Sequence, residues 1–225
     1  MIIVTGASQG IGKVICERLI SNDVEVLGLS RNIKDAHFPC MVCDVSSYSD
    51  VKAVAYRLKR DKVKVEGLIN VAGIASMNLA VTTPQKISQN IINTNLLGTI
   101  YCCQIMAPLM IRNNFGSIIN FSTIAVSLGL KGESIYAASK AGVEGFSRSF
   151  AREMADFNVK VNCIAPGPIN TSLLSGVTPS QIEKILLQQI IQKQFSADTI
   201  SDLVEILLDE RSCSLSGQVL HVGGV

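Results

Sequence analysis

Thr5-Gly-Ala-Ser-Gln-Gly-Ile-Gly12 is the stretch on which the fold of this chain turns. It stands between an apolar run, Ile2–Thr5, and residues 11–21, where Ile11, Val14, Ile15 and Leu19 recur at helical spacing. A strand, a glycine turn and a helix in that order build a pyrophosphate cradle. Gly6 permits the tight turn, Gly10 lets backbone approach a phosphate closely, and Gly12 lets the helix pack against the strand. The helix N-terminus adds a partial positive charge at the same point. Ser8, Gln9 and Ile11 complete the turn and join the glycines as candidate dinucleotide contacts.

Outward from this turn, strand-like and helix-like stretches alternate to the end. Residues 24–29, 40–43, 67–71, 117–121, 159–164 and 218–222 read as further strands. Residues 51–60, 87–111, 136–157, 179–192 and 198–208 read as helices, the second of them bent near Pro108, where a proline removes a hydrogen bond. Repeated βα units imply an α/β fold: a Rossmann-type, doubly wound parallel sheet of about seven strands with helices on both faces. No linker or short repeat divides the chain, so residues 1–225 are expected to form a single domain, with a substrate flap around 170–195.

Composition narrows the functional classes. Lys and Arg total 20 against 18 Asp and Glu, a net charge of +2, which offers no basic field for nucleic acid or an anionic membrane. Charged residues are only 17% of the chain, against about 25% in average soluble domains, and the apolar set is 48%. The longest nearly apolar run, residues 96–111, is too short for a membrane span, which needs roughly 20 residues. Met1 is followed directly by Ile2 and Ile3 with no basic start, so no secretory leader is expected. Seven cysteines, an odd number, suit reduced thiols and a cytoplasmic location. Cys40 and Cys43 have metal spacing but no second pair, and His37 and His221 have no ligand-spaced partners, so no metal site is expected.

Further motifs follow in order. Asn70-Val-Ala-Gly73 closes the fourth strand, Asn95 lies in Asn93-Thr-Asn-Leu-Leu-Gly98, Tyr136-Ala-Ala-Ser-Lys140 opens a helix, and Pro166-Gly167 follows the sixth strand. Together with the Gly-x3-Gly-x-Gly turn, this series resembles the short-chain dehydrogenase/reductases in their compact single-domain branch, over nearly the whole chain. Within that family the pattern looks most like the 3-oxoacyl-[acyl-carrier-protein] reductases of fatty-acid synthesis.

Tyr136 and Lys140 are four apart, so a helix turns both to one face. A free phenol, with a pKa of about 10, is a poor acid or base at neutral pH, and a nearby ammonium is expected to lower that value. The resemblance makes Tyr136 the general acid of carbonyl reduction and gives Lys140 the nicotinamide ribose as well. It also implies a hydroxyl thirteen residues before the tyrosine, which is Thr123, with its neighbour Ser122 as the alternative. Asn95 would hold a water chain from Lys140 to solvent.

The cofactor follows from the end of the second strand. An acidic residue there binds a ribose 2′-hydroxyl, whereas an arginine accommodates a 2′-phosphate. Ser30-Arg31-Asn32 stands there, so NADP(H) is expected, with NAD(H) as the second candidate. By resemblance Asp44 and Val45 meet the adenine, Asn70, Ala72 and Gly73 flank the cofactor, and Pro166, Gly167, Ile169 and Thr171 contact the carboxamide.

Departures from the family pattern are also visible. Only twelve residues separate Arg31 from Asp44, too few for a regular crossover helix around Pro39, and the final Leu220-His-Val-Gly-Gly-Val225 is short. A shortened tail would weaken one oligomer interface or open the substrate pocket. The resulting expectation is an NADPH-dependent reductase of a ketone on a small molecule or an acyl-carrier-protein. A dehydrogenase of a sugar, steroid or other secondary alcohol is the alternative, followed by a dinucleotide sensor without turnover. Arg112, Lys131, Arg148 and Arg152 are candidates for a basic patch facing acyl-carrier-protein. The apolar excess, concentrated in residues 96–111 and 136–157, predicts a homodimer or homotetramer.

Overall fold

The computed structural model describes residues 1–33, 36–171, 174 and 176–225. The seven expected strands all join one sheet: β1 (Ile2–Thr5), β2 (Val26–Ser30), β3 (Cys40–Val42), β4 (Gly67–Asn70), β5 (Gly116–Phe121), β6 (Val159–Ala165) and β7 (Val219–His221). Every pairing is parallel, in the order β3-β2-β1-β4-β5-β6-β7. β1, β4 and β5 are buried along their whole length. That is why they read as continuous apolar runs rather than alternating ones.

The helices are α1 (Gly10–Ser21), α2 (Tyr48–Arg60), α3 (Gln85–Ile91), α4 (Gly98–Ile111), α5 (Ala125–Leu128), α6 (Ser134–Met154), α7 (Pro179–Leu186) and α8 (Ala197–Leu208). Successive strand residues face opposite sides, so the sheet feeds two cores. On one face Val4, Ile69, Ile119 and Ile164 meet Ile15 and Leu19 of α1 and Ile200, Val204 and Leu207 of α8. On the other, Ile3, Leu68, Ile118 and Val161 meet α2, α4 and α6 through Val54, Leu58, Met106, Met110, Phe150 and Met154. Each fully buried side chain of this kind stabilises the fold by about 1.5–3 kcal/mol.

α4 explains part of the apolar excess. Cys102, Cys103, Met106, Ala107, Leu109 and Met110 are all buried within the chain's own fold. The continuous stretch Gln85–Ile111 has the length and hydropathy of a membrane span, yet half of its most apolar window is buried inside the protein, so it is a core helix. Its irregularity differs from expectation. Helix continues through Pro108, and the departure is a π turn at Ile92–Leu97, centred on Asn95.

Three other details bear on the cleft. Among the described residues no helix links β2 to β3, and Val42 is 63% exposed at that open edge. The helix expected over 179–192 stops at Leu186. Beyond it Gln189 is buried, and the N–H groups of Ile190 and Ile191 donate to the carbonyls of Gly224 and Gly223, which draws the chain out of helix. Ser172, Leu173 and Ser175 of the flap, like Lys34 and Asp35 of the crossover, lie outside the described residues.

Candidate active site

The C-terminal ends of the strands open on one side, and β1 and β4 lie side by side where the strand order reverses. A ligand crevice forms at such a switch point. Thr5 Oγ1 accepts from Ala72 N at 3.1 Å and ties the two strand ends together. Gly6 makes the turn with φ +69°, and a Cβ there would come within 2.9 Å of the Ala72 backbone. The sequence-predicted Gly6, Ser8, Gln9, Gly10, Ile11, Arg31, Asp44, Val45, Ala72, Gly73 and Thr171 all line the crevice. Ser30 Oγ donates to Ser8 Oγ at 2.8 Å, which joins the glycine turn to the end of β2. Asp44 accepts from Ser46 N and Oγ at 2.9 and 2.7 Å through one oxygen.

Two predicted contacts fall elsewhere. Gly12 sits one turn inside α1, where a Cβ would collide with the Gly6 carbonyl; it shapes the cradle without lining it. Asn70 is corrected more fully. Its side chain is buried on the α4 and α6 face, where Nδ2 donates to Asn120 Oδ1 at 2.8 Å, and Asn120 Nδ2 in turn donates to Ser147 Oγ at 2.8 Å. Strand alternation turns Asn70 away from the crevice and leaves Val71, Ala72 and Gly73 to line it. Sequence reasoning missed Leu29, Cys43, Ile74 and Thr94 as cofactor contacts, although they also line this half.

A second cleft adjoins the first and shares Ile11, Val71, Gly73 and Thr171 with it. Ser122, Thr123, Tyr136, Lys140, Pro166, Gly167 and Ile169 line it, so the expected catalytic group converges. The two hydroxyl candidates separate cleanly. The Thr123 side chain stands close enough to Tyr136 to oppose the rise in the phenol pKa. Ser122 Oγ instead donates to Glu144 Oε1 at 2.7 Å, and Glu144 pairs with Arg148 at 3.0 Å.

Lys140 is buried one turn on, its Nζ donating to the Phe121 carbonyl at 2.8 Å. Burial pushes its pKa down to about 8. The phenol departs from expectation. Burial, reinforced by the Glu133 charge and opposed by the nearby Thr123 side chain, raises the Tyr136 pKa well above 10. At neutral pH Tyr136 therefore holds its proton, the state a donor to a carbonyl oxygen requires.

Asn95, expected to hold a water chain, is fully buried. Its Oδ1 accepts from Ile74 N and its Nδ2 donates to Ile74 O, both at 2.8 Å, and Nδ2 donates to Ser139 Oγ at 3.1 Å. The π turn bulges the helix so that this amide clamps the segment after β4 onto α6. A Cβ on Gly73 would lie 3.3 Å from Asn95 Oδ1 and 3.4 Å from Lys140 Nζ, so the clamp also shapes the space around the ammonium. Of the four basic residues, Arg148 and Arg152 line a groove with Val159 and Lys160 at the N-terminal ends of the strands, away from this cleft.

A dinucleotide fits these residues: the backbone approach at Gly6 leaves no room for a side chain, and the crevice runs from Arg31 to Tyr136 through Gly73. When bound, a nicotinamide supplies or accepts hydride. Thr123 and Tyr136 can then hold a carbonyl oxygen between two hydroxyl donors, and Tyr136 can release its proton to it beside the Lys140 ammonium. Fold and site define an NAD(P)-dependent oxidoreductase acting on CH–OH and C=O groups.

Comparison with known proteins agrees. Residues 1–181 match the family profile described as short chain dehydrogenase. The chain is 33% identical to carbonyl reductase family member 4 of Xenopus laevis, over 98% of this chain and 95% of that protein. It is 31% identical to the 3-oxoacyl-[acyl-carrier-protein] reductase of Escherichia coli strain K12, over 99% and 95%. Among solved structures, the ligand-free aldohexose dehydrogenase of Thermoplasma acidophilum superposes with TM-score 0.89 at 30% identity, covering 99% of this chain and 92% of that one. ElxO, solved with NADP bound, superposes with TM-score 0.88 at 26% identity, covering 98% and 96%. The chain belongs to the short-chain dehydrogenase/reductase family.

Proposed function

We propose that this enzyme reduces a ketone carbonyl with NADPH, a 3-oxoacyl thioester being the leading substrate class. The observation that carries the reading is the convergence of Thr123, a proton-bearing Tyr136 and Lys140 at a cleft walled by Met77, Leu130, Leu174, Val177 and Ile185. The proton that Tyr136 holds at neutral pH is the one a carbonyl oxygen would take up on reduction. The apolar wall suits an acyl chain. NADPH consumption with acetoacetyl thioesters tests the reading, and no consumption with any 3-oxo compound overturns it. A second reading, oxidation of a hydroxylated substrate such as a sugar, is favoured by the lone carboxylate of Glu133 in the same cleft and is separated by an alcohol panel with NADP⁺ and NAD⁺.

The preference for NADPH rests on Arg31, at the rim of the crevice beside Ser30, with no acidic residue in the place that would repel a phosphate. Charge-assisted hydrogen bonds of this kind contribute about 1.5–3 kcal/mol. Arg31→Ala is expected to raise the KM for NADPH about tenfold to a hundredfold while that for NADH moves less than about threefold. Equal effects on both cofactors would place Arg31 outside phosphate recognition.

Self-association is proposed on the same footing. Ala138, Ala141 and Gly145 form an exposed stripe of small residues along α6, and Leu187, Ile190 and Ile191 are exposed near the C-terminus. Light scattering at micromolar concentration should give a dimer or tetramer mass; a monomer mass rejects it.

A further inference from the structure

Glu133 is the acidic side chain among the residues that line the substrate cleft, and no motif pointed to it. It stands at the N-cap of α6, three residues before Tyr136, yet its side chain makes no capping hydrogen bond. Among the described residues its carboxylate meets no hydrogen-bond donor or ion-pair partner, although it is half-buried. Lys140, the basic residue lining the same cleft, spends a donor on the Phe121 carbonyl. Leu130, Leu174, Val177 and Ile185 supply an apolar surround. A partly desolvated anion without a partner is costly, and a ligand that brings a donor removes that cost.

We infer that Glu133 is a specificity-determining residue of this cleft: its carboxylate selects ketones carrying an N–H or O–H donor a few bonds from the reacting carbonyl and refuses ketones carrying a carboxylate there. The reach follows from position. Residues three apart at a helix start hold their Cβ atoms about 5–6 Å apart, so a ligand whose carbonyl meets Tyr136 presents its next substituents to Glu133. Like charges at that separation repel, the more so where burial keeps part of the water away. The effect of burial on Glu133 agrees in direction, since it raises the carboxyl pKa above its ordinary value. The Glu133 charge also reaches Tyr136, whose pKa it raises.

The inference rests on the ketone-reductase reading, and its test separates the two. Acetoacetamide, ethyl acetoacetate and acetoacetate share one reacting ketone and differ in the neighbouring group: a donor, a neutral group without a donor, and an anion. With NADPH, the wild-type protein should rank them in that order by kcat/KM. Glu133→Gln preserves side-chain volume and removes no capping bond, and it should lower the ratio of amide to acid at least tenfold. A ratio within twofold of wild type overturns the inference. Should none of the three be reduced, and acetoacetyl thioesters not be reduced either, the ketone-reductase reading falls. Calorimetric binding of butyramide against butyrate to the NADP⁺ complex then decides: selectivity for the amide that collapses in Glu133→Gln sustains the inference, and equal selectivity in both proteins ends it.

Discussion

Tyr136→Phe is expected to lower kcat for carbonyl reduction by about 10²–10⁴-fold, the range removed with a general acid, while the Kd for NADPH stays within about threefold. The ring is buried and phenylalanine fills the same space, so the change deletes the proton donor and little else. Steady-state rates and a fluorescence titration of NADPH separate the two effects, and a kcat within tenfold of wild type would remove Tyr136 from the chemistry. The pH profile carries the matching signature of Lys140. Burial holds its pKa at about 8, so the ammonium is present below that pH and is lost above it. A tyrosinate left by proton release is stabilised only by the protonated form. Reduction should therefore decline as pH rises through about 8. In Lys140→Arg, whose side chain stays charged, that decline should vanish even though kcat is lower.

How much of this was legible in the sequence depends on the range of the interactions concerned. The strands were legible because a parallel sheet buried on both faces demands unbroken apolar runs, and Ile2–Thr5 and Gly67–Asn70 are such runs. Tyr136 and Lys140 were legible because one helix fixes their relation. Distant partners decide the rest. α7 ends at Leu186 because Ile190 and Ile191 find carbonyls at Gly224 and Gly223, more than thirty residues away. The π turn at Asn95 exists alongside a clamp on Ile74, and local spacing gives no sign of it.

The hydroxyl and the asparagines make the same point inside the site. Ser122 and Thr123 are neighbours just past the end of β5, and both line the cleft. Glu144 on α6 captures the Ser122 hydroxyl, whereas the Thr123 side chain stands near the phenol. Asn70 looked like a cofactor ligand because it opens a motif at a strand end, but side-chain parity delivers it to Asn120 instead. Glu133 and the apolar wall of the cleft come from separate segments, and only the assembled fold shows that they line one cleft.

Gly6→Ala should cost more than any other single-methyl addition at a left-handed glycine of this protein for which an open-space control exists. Gly6 has φ +69°, and a left-handed backbone costs an ordinary residue roughly 1–2 kcal/mol. The added Cβ would also lie 2.9 Å from both N and Cα of Ala72, backbone that Thr5 holds in place and that cannot swing aside as a side chain would. Overpacking of this kind costs typically about 1–3 kcal/mol more. A total of about 3 kcal/mol lowers the Tm by roughly 6–12 °C in a domain of this size. Gly129 supplies the control, because it has a similar φ of +62° with nothing within 4 Å of its would-be Cβ. Gly129→Ala should incur the backbone cost alone, a Tm loss of roughly 2–8 °C. Thermal melts of the two variants isolate the contact with Ala72, and an NADPH titration of Gly6→Ala should show binding weakened at least about tenfold, since the shift falls where the turn lines the crevice. Equal melting losses in the two variants, with NADPH affinity unchanged, would mean that the turn has slack to spare and that the close approach of β1 to β4 does not shape the cradle.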